Sequence, residues 1–242
     1  MVEQLNHKCI VIESVDLPSL DALCTEIVRI LQLDVTTDSG HEFRDIGDPE
    51  NPQRNSLVVF QLIVSKEASL HVKVIHAPDA ESEYFEVVTK RFPTLAHDPN
   101  LLLPVIIPVL TVGEQCPRYY VHVTPWIQHD RTLTQLLISD WMSGRYDQVA
   151  TCLESFGGFL RGFHNCYSGL HHTDMNPSNV LISKNSHGIL RFILADCAGL
   201  DDQVGDDCRT FIESLKVLAY GGFGDEFFNL ASTAFNKGYN EP

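Results

Sequence analysis

Apolar and polar positions follow two different rhythms along this chain, and the change comes near residue 130. In the first half the period is mainly two. "SLVVFQLIV" (56–64) and "LHVKVIH" (70–76), separated by "SKEAS", read as a β-hairpin, because β-branched and aromatic residues recur between short polar breaks. "CIVIES" (9–14) reads as an early strand, and "LLLPVIIPVL" (101–110) and "PRYYVHVTPW" (117–126) as two later ones. Between them "SLDALCTEIVRILQL" (19–33) sets Leu20, Leu23, Cys24, Ile27, Ile30 and Leu31 at helical spacing. "DAESEYFEVVTKRF" (79–92) is a second helix, with acids in its first turn and bases in its last, as the helix dipole favours. "FRDIGDPENPQRNS" (43–56) predicts a strand running into a loop, since Gly, Pro and Asn cluster there. The expected first half is a mainly antiparallel sheet with an inserted helix.

Beyond residue 130 the period lengthens. "DQVATCLESFGGFLRGFHNCY" (147–167) places Val149, Cys152, Leu153, Phe156, Phe159, Leu160 and Phe163 on one helical face. The aromatic stripe is core packing. Short strands follow at "NVLIS" (179–183) and "RFILAD" (191–196), and a helix at "CRTFIESLKVLA" (208–219). A β-rich lobe of about residues 1–125 therefore precedes an α-rich lobe of about 126–242, with "TPWIQHD" as the joint. No internal repeat or low-complexity tract interrupts them.

Composition narrows the partners. Seventeen Lys and Arg against 32 Asp and Glu give a formal charge of −15 over 242 residues, which disfavours nucleic acid and anionic membrane as ligands. Seven scattered cysteines, odd in number and never spaced as CxxC, form no disulfide framework or zinc site and point to a reducing compartment. His171, His172 and Cys166 likewise lack a second cysteine at zinc-ligand spacing. The longest apolar run is proline-broken and well short of the ~20 residues that span a bilayer. With no signal peptide read at "MVEQLNHKCIVIESVD", the expected location is cytoplasmic.

The candidate chemistry lies in "GLHHTDMNPSNVLI" (169–182), a polar turn enclosed by apolar sequence. Asp174 and Asn179 flank that turn, and Asp196 ends the second strand of the hairpin that follows. Two carboxylates and an amide oxygen suit a hard cation such as Mg²⁺, which takes oxygen ligands and completes its shell with substrate phosphates. A carboxylate beside the metal can accept a proton from an attacking hydroxyl. His172 reads as structural, anchoring the turn through hydrogen bonds to backbone.

The pattern H-x-D-x-x-x-x-N, here "HTDMNPSN", followed by "DCAG", resembles the protein-kinase-like superfamily. The resemblance implies a two-lobed α+β fold with a β-rich N-lobe and a reduced helical C-lobe. It makes Asp174 the catalytic base and Asn179 and Asp196 the metal ligands. Upstream, Lys73 in "LHVKVI" would hold the nucleotide phosphates, paired with Glu83, or with Glu86 one turn on. Backbone groups of about Thr124 to Trp126, in "VHVTPWI", would meet the adenine. Asp207 would open the helix that supports the catalytic loop. The likeness runs in order over about residues 42–220 and implies ATP and Mg²⁺ as cofactors.

Three departures qualify it. The loop "GDPENPQRNS" offers a single glycine, Gly47, as a nucleotide-binding element, helped by Arg54 or Ser56. Cys197 stands where a Phe is usual, and Gly199 follows one residue late. About ten residues separate Asp196 from Asp207, with no Ala-Pro-Glu motif, so there is no room for a full activation segment. The chain is similar to minimal atypical kinases and to aminoglycoside-type phosphotransferases in this region. The implied reaction is transfer of the ATP γ-phosphoryl to a hydroxyl, expected on a protein. The alternatives are a small-molecule acceptor, a non-catalytic binding module, and AMP transfer. "GGFG" (221–224) lacks the preceding strand and following Lys-Ser/Thr of a P-loop.

Overall fold

The structure is a computed structural model that describes residues 9–13, 16, 18–33, 42–45, 56–65, 68–77, 81–127, 131–184, 190–203 and 205–241. The chain forms two compact units, one from Met1–Ser82 and Pro104–Ile127, the other from Glu83–Leu103 and Gln128–Pro242.

The first unit contains β1 (Ile10–Ile12), α1 (Leu20–Leu31), β2 (Glu42–Asp45), β3 (Ser56–Ile63), β4 (Ser69–His76), β5 (Val105–Thr111) and β6 (Tyr119–Pro125). They build a six-stranded sheet in the order β1-β5-β6-β4-β3-β2. Its pairs are antiparallel except for β1, which joins the edge parallel to β5. The period-two pattern sends Phe60, Leu62, Val72, Val74, Ile107, Val109, Val121 and Val123 to one core. Leu23, Cys24, Ile27 and Ile30 of α1 complete that core, at the spacing of one helical face. Ser19 caps the helix by accepting from the Ala22 N–H. The opposite face of the sheet carries His71 and Lys73, with Lys73 in register between Val59 and His122.

The apolar run "LLLPVIIPVL" does not form one strand. Strand β5 begins only at Val105, after Pro104, while Leu101 and Leu102 belong to the second unit, where the Leu102 N–H donates to the Leu194 carbonyl at 2.8 Å. Proline restricts the residue before it and carries no N–H, so a run that looks continuous in composition divides there.

The second unit contains α2 (Glu81–Arg91, from Glu83 on), β7 (Arg131–Thr132), α3 (Leu133–Met142), α4 (Tyr146–Cys166), β8 (Val180–Lys184), β9 (Leu190–Leu194), α5 (Asp207–Leu218) and α6 (Gly224–Asn240). Strands β7, β8 and β9 form a small antiparallel sheet. Phe156 of α4 meets Phe192, Phe211 and Phe235, with ring centroids 5.4, 4.8 and 6.1 Å away, so one buried side chain joins β9, α5 and α6. The aromatic stripe is core, as its spacing suggests.

Two helices have no counterpart among the expected elements. Helix α3 opens with a capping box between Thr132 and Gln135 and buries Leu133, Leu136 and Leu137. Helix α6 buries Phe227, Ala231, Ala234 and Phe235. A π-helical turn, Ala219–Phe223, joins α5 to α6, and Gly222 takes φ 134° there, so "GGFG" is a helix junction. Among the described residues no helix is long and apolar enough to cross a membrane. All seven cysteines are free.

Candidate active site

Helix α4 delivers the chain to the polar turn at 171–176, and a 3-10 turn, Pro177–Asn179, hands it on to β8. One buried carboxylate holds the backbone of the turn. Asp207, at the start of α5, is 1% exposed. Its Oδ2 accepts the His172 N–H at 2.8 Å and its Oδ1 accepts the Thr173 N–H at 3.0 Å. His164 Nε2 lies 2.9 Å from Oδ2 as well. Burial alone would raise the pKa of this group. The bonds from His164 and His172, with the nearby imidazoles, outweigh it and hold the carboxyl below the ordinary carboxylate value.

The turn is strained and over-determined. Thr173 adopts φ 66°, in the left-handed region that costs a β-branched residue on the order of 1 kcal/mol or more. Its N–H bond to Asp207 and its hydroxyl bond to the Gly199 carbonyl, 2.7 Å, hold it there. His172 is fully buried and its Nε2 sits 2.7 Å from the Ala195 carbonyl. A carbonyl only accepts, so that nitrogen carries the proton and donates. The structural role expected of His172 is what the geometry gives it.

Asp174 emerges from this anchored turn exposed to solvent. Asn176 Nδ2 donates to its Oδ1 at 3.1 Å, and Asn179 Nδ2 donates to its Oδ2 at 2.9 Å. Both amides also reach the Asp174 carbonyl, at 3.2 and 3.0 Å. The carboxylate is thus clamped from both sides, yet each oxygen keeps acceptor capacity. Asn176 is itself fixed, because its side-chain oxygen accepts the Ser178 N–H at 2.9 Å. With the Asn179 nitrogen spent on Asp174, its side-chain oxygen remains as the atom able to meet a cation.

Asp196 sits at the same end of the β8–β9 hairpin. The ladder pairs Val180 with Leu194, and one step beyond it the Ala195 N–H donates to the Asn179 carbonyl at 2.8 Å. Asp196 follows with φ 56°, a second left-handed residue, at the start of a 3-10 turn from Cys197 to Gly199. The turn and the hairpin therefore bring Asp174, Asn179 and Asp196 to one edge of this unit.

Cys197, the residue after Asp196, is fully buried and donates its thiol to the Leu194 carbonyl at 3.3 Å. Burial first, and then the Asp196 charge, push its pKa up, so it is a poor nucleophile. The Cys208 thiol is raised too, chiefly by burial. The short segment after Gly199 is pinned: His171 and Asp201 exchange backbone hydrogen bonds at 2.8 and 3.0 Å, and Arg91 of α2 pairs with the buried Asp202 carboxylate.

The remaining sequence-derived residues are carried by other elements. Lys73 is half-buried on β4 of the first unit, and Thr124 pairs in register with His71. The Trp126 N–H donates to the Ser69 carbonyl at 2.8 Å, and its ring stacks on His71. By the two-residue alternation of an antiparallel ladder, Thr124 also directs its backbone groups to β4. Glu83 is in the first turns of α2, its side chain outside the described set, and Glu86 is exposed and paired with Lys90 at 2.7 Å. Gly47 and Arg54 lie outside the described residues, as does the side chain of Ser56.

Sequence reasoning passes over Asn176 and His164. The Asn-Pro pair in "MNPSN" is a turn signal that marks the first. His164 falls four residues after Leu160, on the buried stripe of α4, where a polar residue needs a partner. His164, His171 and Asp207 offer three ligand atoms within 4.8 Å of one another. Asp207 Oδ2 already takes both the His172 N–H and His164 Nε2, so a cation held by His164 and Asp207 would have to displace the bond between them.

No family model and no curated protein matches the sequence. Among solved structures, the chain is similar to the BubR1 kinase domain at 14% identity and a TM-score of 0.49, over 83% of this chain and 56% of that one. It thus spans little more than half of that structure. It is also similar to a microcompartment-associated aminopropanol kinase at 14% identity and a TM-score of 0.49, over 90% of this chain and 82% of that one.

Proposed function

We propose that this chain is a kinase-like phosphotransferase that moves the γ-phosphoryl of ATP to a hydroxyl acceptor. The observation that carries the reading is the clamp on Asp174. An exposed carboxylate is held by two amides on a turn whose backbone is bolted to a buried aspartate. Such a group accepts the hydrogen bond of an incoming hydroxyl and takes its proton as the phosphoryl transfers.

The oxygen-rich edge fits Mg²⁺: Asn179 offers its side-chain oxygen and Asp196 its exposed carboxylate, both hard ligands. When bound, Mg²⁺ neutralises charge on the phosphate oxygens. Asn179 thus has two tasks, one per side-chain atom, holding the base and holding the ion. Asn176 keeps the carboxylate oriented. Lys73 is the proposed phosphate-holding lysine, with Glu83 as its partner and Gly47 in the nucleotide-binding loop. For the adenine, the proposed stretch is Thr124 to Trp126. Because the Trp126 N–H is spent on Ser69, the Pro125 carbonyl is the group of that stretch directed to the other side of β6. The two units act as the lobes of one kinase-like domain.

The acceptor proposed is a protein hydroxyl, with a small-molecule hydroxyl as the alternative that product mass separates. Wild type and Asp174→Ala are incubated with Mg²⁺, a cell lysate and ATP labelled at the γ or the α position. Label from the γ position, lost in the variant, is the expected outcome. Label from the α position alone means nucleotidyl transfer. Absence of both labels, with no metal-dependent ATP binding by calorimetry, sinks the reading and leaves a binding module.

A further inference from the structure

The carboxylate that anchors the catalytic turn is also reached from the C-terminal helix. His164 Nε2 meets Asp207 Oδ2 at 2.9 Å, and its Nδ1 meets the Tyr239 hydroxyl at 2.8 Å. An ionised carboxylate only accepts, so His164 donates from Nε2. In the neutral ring Nδ1 is then bare, and Tyr239 donates to it. A hydrogen-bonded line thus runs from α6 through α4 to the first residue of α5, and ends on the N–H groups of His172 and Thr173.

The line depends on an unusually close approach of two helices. A Cβ on Gly238 would lie 1.8 Å from the Glu154 carbonyl oxygen, and one on Gly157 would lie 2.4 Å from the Phe235 carbonyl oxygen. Only glycine at both positions lets α6 lie so near α4, one residue before Tyr239. Lys237 pairs with Glu154 at 3.0 Å on the other side of Gly238. The Tyr239 ring is set edge-on to His164, centroids 5.7 Å apart at 75°, and stacks on Phe235. Ring and backbone contacts therefore place the hydroxyl independently of its hydrogen bond.

We propose that Tyr239 is a positioning residue for the catalytic turn, acting through His164 and Asp207. By fixing the plane of His164, whose tautomer Asp207 sets, it holds the Asp207 carboxylate where it grips the two N–H groups that aim Asp174. Its effect on turnover rests on the phosphotransferase reading, whereas its effect on the turn itself does not.

Two readouts on the full chain separate these. In Tyr239→Phe, which removes the hydroxyl and keeps the ring, kcat falls about tenfold with KM for ATP unchanged. Amide hydrogen exchange in the peptide covering 170–176 quickens on the order of tenfold, while α4 and α6 keep wild-type protection. The Cys208 thiol is the other polar group near the Tyr239 hydroxyl, so Cys208→Ala is the control, expected to behave as wild type in both readouts. His164→Gln retains an N–H donor toward Asp207 but offers Tyr239 no ring nitrogen, and in that background Tyr239→Phe has no further effect. Wild-type exchange at 170–176 in Tyr239→Phe overturns the proposal. So does an equal loss of protection along α6, which marks a purely structural role. If no variant, wild type included, shows phosphotransfer, the exchange data alone decide the inference and the functional reading fails separately.

Discussion

Helix α1 in the first unit and the polar turn at 171–176 in the second are each anchored by a few buried residues, and the anchors work differently. Ile27 and Ile30 press on a sheet face of Val, Leu, Ile and Phe, where what counts is apolar area removed from water and volume filled. Asp207 grips two N–H groups at 2.8 and 3.0 Å and a histidine at 2.9 Å, where what counts is direction. The first kind of anchor tolerates exchange among residues of similar size. The second fails on an isosteric change of a single atom, and it holds Thr173 in a backbone conformation that the chain would not otherwise keep. Stability is spread over many contacts in one region, and geometry is concentrated in few in the other.

The contrast is sharpest at Asp174, the proposed base. Asp174→Asn, which keeps shape and removes charge, is expected to cut turnover by about 10²–10⁴-fold, the range general-base catalysis contributes. Mg-ATP affinity by calorimetry and the thermal midpoint should stay near wild type, since the side chain is exposed. A fall in stability matching the fall in rate would break the distinction. Ile27→Ala does the reverse. It removes a fully buried side chain and should cost about 2–5 kcal/mol in denaturant unfolding, with kcat of the folded fraction unchanged.

Asp207→Asn falls between, losing about 1–3 kcal/mol because it sets an amide against donors that need an acceptor. It should also change the acid limb. Asp207 has a folded pKa below its unfolded value, so its stabilisation is full above about pH 4 and is lost as pH falls through the lower folded value. Unfolding curves from pH 6 downward should therefore be flatter in the variant over that acid range. The smallest effect is expected of Glu86→Gln. This exposed residue pairs with Lys90 one turn away, worth about 0.2–0.5 kcal/mol, and KM for ATP should not move. A large rise in KM would instead favour Glu86 over Glu83 as the proposed partner of Lys73.

Most elements were legible because burial imposes a period. The β3–β4 hairpin, α1 and α4 each show it, and the order Asp174, Asn179, Asp196 was readable through the resemblance that its spacing carries. Helices α3 and α6 were legible in principle, through the Thr132 to Gln135 capping box and the spacing of Phe227, Ala231, Ala234 and Phe235. The division of "LLLPVIIPVL" at Pro104 was less so, since composition says nothing about which sheet each half will join. Asn176 offers the sequence only a turn signal, through the Asn-Pro pair, and nothing that marks it as a partner of Asp174.

By itself, then, the sequence determined the alternation of strands and helices and the set of polar groups gathered around one turn. Those follow from local spacing, which a chain cannot hide. Only the tertiary structure decided that Asp207 would grip the backbone of that turn, that Asn176 would share the clamp on Asp174, and that Tyr239 would reach His164 across a glycine-to-backbone contact. The partners His164 and Tyr239 are 75 residues apart. A hydrogen bond is set by the direction of approach of two atoms, and for groups so distant in sequence that direction exists only once the helices between them have packed.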